Sequence, residues 1–553
     1  MAKRTTRSDR RRQRARAGKR PRRGRGGDPV PALNEGLALA GRGRFDDAVT
    51  CFERALAADP GSVLAHYNIG VMRQQQGRLD DAARAYAKAL AIKPDYFESL
   101  VNLGVVRQAQ GRLDDAEAAY RRAIALKPDF AEIHHNLGGV LERGGDFAGA
   151  VGCYRRALAI KPDFPLALNG LGVALQRQGD DAAARAAFER ALALQPGFVE
   201  ALSNLGNLHH RRGRLEAAAD CFRRAIAIQP DYAEAHRNLA HVLLLAGNFR
   251  DGWPEFAWRW RCRDFPSERR PFAAPKWSGE PVAGKSVLVW GEQGVGDEVH
   301  FAEMVPDLAA AGARVVLECE RRLAPLFARS FPAVACVARA TPPAPETAGR
   351  FDYQTPIGDL GRWLRDDAAR FPQRPSYLVA DPAKRDALRG NYKAGGGDLL
   401  VGVAWISKNP EVGGEKSTAL ADWRPLAEVP GVRFVDLQYG DTAEERRAFA
   451  RDTGKAIVHD DGIDQLADMD AFAAQVAAMD LVISVSNTTV HVAGALGVAT
   501  WVLLNTVPLA VWMRAGETSP WYPSLRLYRQ ETAGAWADVV KRVARDLGKR
   551  AAR

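Results

Sequence analysis

Prolines recur every 34 residues in the N-terminal half of this 553-residue chain. The six that keep this spacing are Pro60, Pro94, Pro128, Pro162, Pro196 and Pro230. The segments between them repeat a Gly-x6-Gly-x4-Ala-x3-aromatic pattern, as in Gly70, Gly77, Ala82 and Tyr86. Each unit is long enough for two amphipathic helices that join at a glycine, pack closely through alanines and end at a proline. The spacing therefore predicts a solenoid of stacked helical hairpins.

This period and its small-residue pattern resemble the tetratricopeptide repeat. Six full repeats run from residue 29 to 232, and a degraded seventh continues to about residue 265. In the seventh unit Gly247 is kept, while Trp253, Pro254 and Trp258 replace the usual pattern. We expect this unit to cap the solenoid, which is predicted to occupy residues 29–265.

Nearly all of the net charge lies at the start of the chain. Residues 1–27 hold thirteen Lys or Arg and one acid, and this net of +12 equals that of the whole chain. The remaining residues are balanced, so we do not expect a nucleic-acid partner for the folded part. Residues 1–28 are predicted to form a disordered, solvated tail, with RNA or an anionic membrane surface as alternative contacts.

The cysteines and the apolar segments indicate the compartment. Six cysteines lie far apart without a CxxC pair or a Cys/His cluster, so we expect neither disulfides nor a metal site. No apolar segment follows the basic start, and polar residues and Pro508 interrupt the most apolar stretch, residues 492–512. These features predict a cytoplasmic protein without a signal peptide or a transmembrane segment.

From about residue 283 short β-branched runs alternate with helical segments. The candidate strands are residues 286–290, 313–318, 399–405, 433–438, 481–485 and 500–504. This alternation predicts parallel, doubly wound sheets. A loop-rich stretch, residues 377–398, divides the region into halves at 266–390 and 391–553, with a cleft between them. Trp536, Val539, Val540, Val543 and Leu547 have the spacing of a final helix.

A glycine-rich turn follows the first predicted strand and contains Gly291, Gly294 and Gly296. Such a turn lets backbone amides face an anion or a sugar. No Gly-Lys-Ser/Thr follows, which excludes a Walker loop. A dinucleotide fingerprint would pair the turn with Glu318, but Val299 stands at its third glycine position. The turn alone leaves a dinucleotide site, a structural turn and a sugar-transfer site open.

Three segments together resemble the bacterial tetratricopeptide-repeat glycosyltransferases. They are Gly294-x-Gly296-Asp297, the segment 487–497 and the segment 519–524. The catalytic part of that family is similar to the heptosyltransferase-like (glycosyltransferase family 9-like) branch of the GT-B fold. The resemblance covers residues 29–549 and implies two Rossmann-like domains, the first on the acceptor side and the second on the nucleotide-sugar side. It implies a nucleotide-sugar co-substrate, without a metal or another cofactor.

The resemblance assigns a role to Asp297, which occupies the position of the family's proposed general base. A carboxylate there can take the proton of an acceptor hydroxyl as that oxygen attacks the anomeric carbon. Asp297 can also cap the following helix, and the two roles are compatible.

The donor side is predicted at the junction after the strand 481–485. There Asn487, Thr488 and Thr489 begin a helix whose free amides and dipole favour a phosphate. The family usually has an aspartate at the position of Ser486. His491, on the same helix, is either a ligand contact or a structural histidine.

Three further residues complete the predicted donor site. Lys408 and Lys416 follow another strand end, where a lysine would offset the diphosphate charge. Solvated lysines are the alternative. Gln438 ends the next strand, where nucleoside contacts of the family fall.

Position six of the repeats is an asparagine in all but one unit. The column comprises Asn34, Asn68, Asn102, Asn136, Asn204 and Asn238, with Gly170 in the fifth repeat. An amide side chain both donates and accepts, so a column on the concave face can bind an extended peptide backbone. A similar ladder holds the acceptor in the animal protein O-GlcNAc transferases. The alternative is that asparagine is only repeat consensus.

These observations predict a glycosyltransferase that moves a sugar from a nucleotide donor to a Ser or Thr hydroxyl of a recruited protein. Flagellin is a candidate acceptor, since some repeat-bearing relatives modify it. The first alternative is a non-catalytic repeat scaffold with a degenerate GT-B part. The second is a dinucleotide-dependent enzyme.

Overall fold

The computed structural model describes residues 28–394, 399–409 and 413–552. The predicted disordered tail, apart from Asp28, lies outside the described residues. The chain divides into two compact units, one ending at Ala201 and the other beginning at Leu202.

The described part of the first unit consists of antiparallel helix pairs. Its helices are α1 (Pro29–Ala40), α2 (Phe45–Ala58), α3 (Val63–Gln75), α4 (Leu79–Ile92), α5 (Phe97–Ala109), α6 (Leu113–Leu126), α7 (Ala131–Arg143), α8 (Phe147–Ile160), α9 (Pro165–Arg177) and α10 (Asp181–Leu194). The first helices of successive repeats contact one another, α3 with α5, α5 with α7 and α7 with α9. The predicted helical hairpins are confirmed.

Glycine occupies the two glycine positions of the repeat for different physical reasons. A Cβ on Gly70 would lie 2.5 Å from the Tyr86 ring, so only glycine lets the two helices of this hairpin pack. Gly77, in the turn between them, has φ +71, a conformation that other residues rarely adopt.

The second unit begins with four helices, of which the first starts just before the division. They are α11 (Val199–Arg211), α12 (Leu215–Ile228), α13 (Ala233–Leu245) and α14 (Phe249–Phe256). Trp253 of α14 is buried in one core with β-sheet residues such as Val287 and Val289, and its indole donates a hydrogen bond to the Arg365 carbonyl (2.8 Å). The last helices of the solenoid and the first sheet thus share a hydrophobic core.

The first sheet has four parallel strands in the order β3-β2-β1-β4. Its strands are β1 (Ser286–Trp290), β2 (Arg314–Cys319), β3 (Ala335–Ala338) and β4 (Tyr353–Pro356). The helices that accompany it are α15 (Val295–Phe301), α16 (Val305–Ala310), α17 (Ala324–Ser330) and α18 (Gly361–Leu364).

The second sheet has six parallel strands in the order β10-β9-β8-β5-β6-β7. Its strands are β5 (Leu399–Ala404), β6 (Val432–Asp436), β7 (Ile457–Val458), β8 (Leu481–Val485), β9 (Thr500–Leu504) and β10 (Leu525–Arg529). Its helices are α19 (Pro382–Lys393), α20 (Gly413–Lys416), α21 (Arg424–Ala427), α22 (Ala443–Thr453), α23 (Met469–Ala477), α24 (Thr488–Ala495) and α25 (Trp536–Ala551). Short 3-10 helices span Ala257–Arg261, Ala302–Met304, Ile357–Leu360, Ala368–Arg370, Leu420–Trp423 and Ala510–Trp512.

All six predicted strands are present, three with the predicted bounds and the others within two residues of them. The predicted C-terminal helix is α25. Sequence patterns missed β3, β4, β7 and β10, because the first three are short and only partly buried and the last alternates apolar residues with arginine.

The prediction that residues 377–398 are loop-rich was wrong for half of that stretch. Helix α19 lies there, and Asp381 caps it by accepting hydrogen bonds from the amides of Ala383 and Lys384. Tyr392 is its one buried residue, so the hydrophobic periodicity was too weak to reveal it. Among the described residues no helix is long and apolar enough to cross a membrane.

Candidate functional site

Each sheet has one point where the strand order reverses. In the first sheet it lies between β1 and β4, and the turn 291–294 leads from there into α15. In the second sheet it lies between β5 and β8, beside the loop after β5 and the start of α24. Open parallel sheets bind ligands at such reversals, outside the carboxyl ends of the strands. Both predicted motifs therefore stand at the expected positions.

The first turns of α15 and α24 contact each other. A Cβ on Gly296 would lie 3.3 Å from the Thr488 hydroxyl oxygen and 3.4 Å from the His491 ring. A side chain at position 296 would therefore be tightly packed against the start of α24. The contact joins the two switch points into one candidate site.

Asp297 caps α15 and also faces this site. Its carboxylate accepts a hydrogen bond from the Gly294 amide (3.1 Å), and the side chain is reached by solvent. Surrounding protein nevertheless displaces much of the bulk water, and this loss of solvation raises the pKa of Asp297 to about 6. The Glu292 carboxylate raises it further, whereas the Gly294 amide and Lys416 lower it. A carboxylate with this pKa is suited to act as a base near neutral pH.

Lys416, at the end of α20, is the cation whose charge acts on Asp297. It is only 5% exposed, and burial lowers its pKa to about 8, against the opposing effect of Asp297 and Glu415. The neighbouring Glu415 pairs with Arg211 at the end of α11 (3.4 Å). A buried ammonium whose charge acts on a carboxylate near the meeting of the two switch points can help to hold an anion.

Two residues predicted to bind the nucleotide-sugar donor hold the loop that follows β5. The Gln438 side-chain oxygen accepts hydrogen bonds from the amides of Trp405 (2.9 Å) and Ile406 (2.7 Å), and Gln438 is 1% exposed. The Asn487 amide donates to the Ile406 carbonyl (3.1 Å). In this structure both side chains position the backbone of the loop that leads to Lys416.

The two threonines at the start of α24 differ in accessibility. Thr489 is fully buried, and its hydroxyl donates to the Leu437 carbonyl (3.4 Å). Asn487 caps the helix by accepting from the Thr489 amide (3.0 Å). Thr488 is partly exposed and lies at the contact with Gly296. The Thr488 hydroxyl is therefore the better placed of the two for a ligand.

His491 belongs to a buried network that the sequence did not reveal. Its Nδ1 lies 2.9 Å from the Tyr522 hydroxyl, and Nδ1 of His300 lies 3.2 Å from the same hydroxyl. Burial lowers the pKa of His491 to about 3 and that of His300 well below its usual value, so both rings are neutral. Tyr522 lies within the segment 519–524 that carried part of the resemblance, which is the one signal that could have indicated it.

The serine at position 486, where the family usually has an aspartate, has a structural role. It is buried, and its hydroxyl accepts a hydrogen bond from the Trp512 indole (2.8 Å). The indole of Trp512 in turn stacks on the His491 ring (5.3 Å between centroids). Ser486 thus supports the position of His491 through Trp512.

Lys408 lies at the exposed edge of the same loop. Its ammonium is 5.9 Å from the centroid of the Tyr439 ring, and its amide donates to the Tyr439 hydroxyl (3.0 Å). The structure thus associates Lys408 with Tyr439 and Lys416 with Asp297.

The asparagine column in the first unit has varied surroundings. Asn34 is exposed and Asn136 is half-buried. The Asn68 amide donates to the Leu64 carbonyl of its own helix (2.9 Å), and the Asn102 amide donates to the Tyr67 hydroxyl (3.3 Å).

In the second unit Asn204 and Asn238 are half-buried. The Asn238 amide donates to the Asn207 side-chain oxygen (2.9 Å). The column is present, but its members differ in how much of the amide is already engaged.

The described residues include no group of three or more His, Cys, Asp or Glu side chains that could hold a metal ion. The candidate site brings together the Asp297 carboxylate, the buried Lys416 ammonium, the start of α24 and the neutral His491 ring.

The tetratricopeptide repeat family matches residues 33–97, 101–165, 169–233 and 213–251. These residues are tetratricopeptide repeats, a protein-interaction module, and an α/β region with two parallel sheets follows them.

Among individual proteins, the chain is 38% identical over 326 residues to the protein FlbA of Caulobacter vibrioides. The match covers 56% of this chain and 54% of FlbA, so the chain spans about half the length of that relative. A crystal structure of MamA is 26% identical and covers 30% of this chain and 97% of that chain, with a TM-score of 0.28. YrrB, described as a repeat protein with an unusual peptide-binding site, is 22% identical, with coverages of 33% and 95% and a TM-score of 0.29.

Proposed function

We propose that this chain is a glycosyltransferase of GT-B type that moves a sugar from a nucleotide sugar to a Ser or Thr hydroxyl of a protein acceptor. The observation that carries the proposal is the close approach of Gly296 to Thr488, which joins the switch points of the two sheets near Asp297 and within reach of the charge of Lys416. A carboxylate that can act as a base and a cation that can offset phosphate charge are the groups that sugar transfer from a nucleotide donor to a hydroxyl can use.

In the proposed reaction the acceptor hydroxyl oxygen attacks the anomeric carbon of the donor. The bond between that carbon and the phosphate oxygen breaks, and the nucleoside diphosphate leaves with the bonding electrons. Asp297 takes the hydroxyl proton. Lys416 and the start of α24, with the Thr488 hydroxyl, stabilise the charge on the departing diphosphate. The reaction needs no metal in this scheme.

The other predicted donor residues have supporting roles in the proposal. Gln438 and Asn487 hold the backbone directly after β5, to which the Thr418 amide, two residues after Lys416, donates at the Trp405 carbonyl (2.9 Å). His491 offers a neutral ring beside Gly296 and Lys416. Lys408, at the exposed edge, is proposed to contact an outer part of the donor.

The repeats are proposed to recruit the acceptor through their asparagine column. Asn34, which is exposed, and Asn136, which is half-buried, are the members of the column best placed to contact a peptide backbone. Flagellin remains a candidate acceptor, and the cytoplasm the proposed compartment.

A second candidate function is that of a non-catalytic scaffold that binds proteins through the repeats. Ser486 favours it, because the hydroxyl found where the family has an aspartate is engaged with Trp512. This function predicts binding of an acceptor without any turnover of a nucleotide sugar.

A thermal-shift panel of nucleoside diphosphates, nucleoside monophosphates and NAD tests these alternatives. A ligand at a hundred times its dissociation constant adds about 2.7 kcal/mol to the stability of the folded state. We expect stabilisation by a nucleoside diphosphate, and its loss in Lys416→Met, which removes the cation and keeps most of the side-chain volume. Stabilisation by NAD alone would support a dinucleotide enzyme. Donor hydrolysis, assayed on whichever nucleotide binds, then separates the transferase from the scaffold.

A further inference from the structure

A buried arginine links the end of the repeat region to the glycine turn that carries Asp297. Arg259, in the 3-10 helix Ala257–Arg261, is 1% exposed, and Glu292, in the turn after β1, is fully buried. The Arg259 guanidinium donates to both oxygens of the Glu292 carboxylate, at 2.8 Å from Nε and at a shorter distance from Nη2. Such a bidentate pair fixes both the position and the orientation of the carboxylate.

The pair has further polar partners. Arg259 Nη1 lies 2.7 Å from the Asp359 carboxylate and donates to the Phe256 carbonyl (3.1 Å). Asp359 also pairs with Lys276 (2.5 Å). The Gly358 amide donates to Glu292 (3.0 Å). A buried ion pair is favourable only when its groups are satisfied in this way.

The network holds a strained turn. Gln293, directly after Glu292, has φ +61, a conformation that a residue with a side chain adopts only when its surroundings impose it. Its amide donates to the Ser267 hydroxyl (2.6 Å). The next residue, Gly294, is the donor to the Asp297 carboxylate. The turn is therefore anchored by Arg259 and Ser267, which precede β1, and by Gly358 and Asp297, which follow it.

We propose that Arg259 is a positioning residue of the transfer reaction: by fixing Glu292 it holds the turn 291–294 in the conformation that directs Asp297 into the cleft. This inference rests on the proposed function, since it assigns Asp297 the role of base. It makes the last helical unit of the repeat region a structural part of the catalytic centre, in addition to any role in acceptor recruitment.

The test compares Arg259→Lys with Arg270→Lys. Lysine keeps the positive charge but loses the bidentate geometry. Arg270 is a matched control because it forms a second buried bidentate pair on the same sheet, with Glu318 at 2.9 and 2.7 Å. Glu292→Gln is the companion variant, which keeps the shape of the anchor and removes its charge.

Hydrogen–deuterium exchange of the peptide 291–298 is the first measurement. We expect exchange at least tenfold faster in Arg259→Lys and Glu292→Gln, and unchanged in Arg270→Lys. Equal exchange in Arg259→Lys and Arg270→Lys would overturn the proposal, whether or not the protein transfers a sugar.

Steady-state kinetics with the donor found in the thermal-shift panel is the second measurement. We expect kcat to fall at least tenfold in Arg259→Lys with donor KM changed less than twofold, and both to be retained in Arg270→Lys. A loosened turn with unchanged kcat would overturn the catalytic part of the inference. If the wild type shows no turnover, the proposed function fails, and the exchange experiment still decides whether Arg259 positions the turn.

Discussion

Gly296 of α15 lies against Thr488 of α24, with 3.3 Å between the threonine hydroxyl oxygen and the place of a Cβ on the glycine. Gly296→Val would push the two helix starts apart. Overpacking of this kind typically destabilises a protein by about 1–3 kcal/mol. We also expect weaker binding of a nucleoside diphosphate, measured by calorimetry.

Gly294→Ser is the control for this substitution. A Cβ there meets nothing closer than the Asp297 carboxylate at 3.5 Å, and serine is a favoured helix cap. Its stability and donor affinity should match those of the wild type within about 0.5 kcal/mol. Equal behaviour of the two variants would contradict the importance of the helix contact.

Asp297→Asn tests the proposed base. Only proton transfer is removed, so turnover should fall by about 100-fold or more, while the dissociation constant of the donor stays nearly unchanged. Asp381→Asn is the control for the loss of a capping carboxylate, because Asp381 also accepts backbone hydrogen bonds at a helix start, as the N-cap residue of α19. Unchanged turnover in Asp297→Asn would remove this residue from catalysis and leave it a capping role.

The pH dependence of kcat/KM follows from two shifted groups in the free protein. Asp297, with its pKa raised to about 6, accepts a proton only when it is ionised, so activity should rise as the pH increases through about 6. Lys416, with its pKa lowered to about 8, is charged only below that value, so activity should fall above it. Lys416→Arg keeps the charge at high pH and should move the alkaline limb upward. An alkaline limb that stays in place would show that another group causes it.

Substitutions of the two threonines of α24 should separate an effect on ligand affinity from an effect on stability. Thr488→Val removes a partly exposed hydroxyl, and we expect lower affinity for a nucleoside diphosphate with little change in stability. Thr489→Val removes the buried donor to the Leu437 carbonyl, and we expect a loss of about 1–3 kcal/mol of stability. Calorimetry and thermal melts of the two variants measure this. If Thr489→Val alone weakens donor binding, the diphosphate lies deeper than proposed.

Recruitment of the protein acceptor should be separable from turnover of the nucleotide-sugar donor. Changing Asn68, Asn102, Asn136 and Asn204 together to alanine removes amides worth about 0.5–1.5 kcal/mol each if all bind the acceptor. Binding of full-length acceptor should weaken strongly, whereas slow hydrolysis of the donor by water should continue at the wild-type rate. Wild-type modification of full-length acceptor by this variant would show that the column is only repeat consensus.

Much of the fold could be predicted from local patterns. The 34-residue period predicts where the repeat helices lie. It does so because positions such as Gly70 and Gly77 need glycine for steric and backbone reasons that recur from repeat to repeat. Buried parallel strands such as β1, β8 and β9 are continuous apolar runs and were predicted with their exact bounds. Helix α19 and the strands β3, β4, β7 and β10 were not predicted, since their stability depends on capping or on neighbouring strands more than on their own hydrophobicity.

The sequence by itself determined which residue types could form the site: Asp297 after a glycine turn, lysines after β5 and polar residues at the start of α24. Only the tertiary structure decided which of them meet. It brings the charge of Lys416 within reach of Asp297, places Lys408 beside Tyr439, buries Thr489 while leaving Thr488 accessible, and connects Arg259 to Glu292. The three pairs join residues 31 to 119 positions apart, and the two threonines are neighbours that differ only in which face of the helix they lie on. They depend on strand order and helix packing, which no local pattern in the chain encodes.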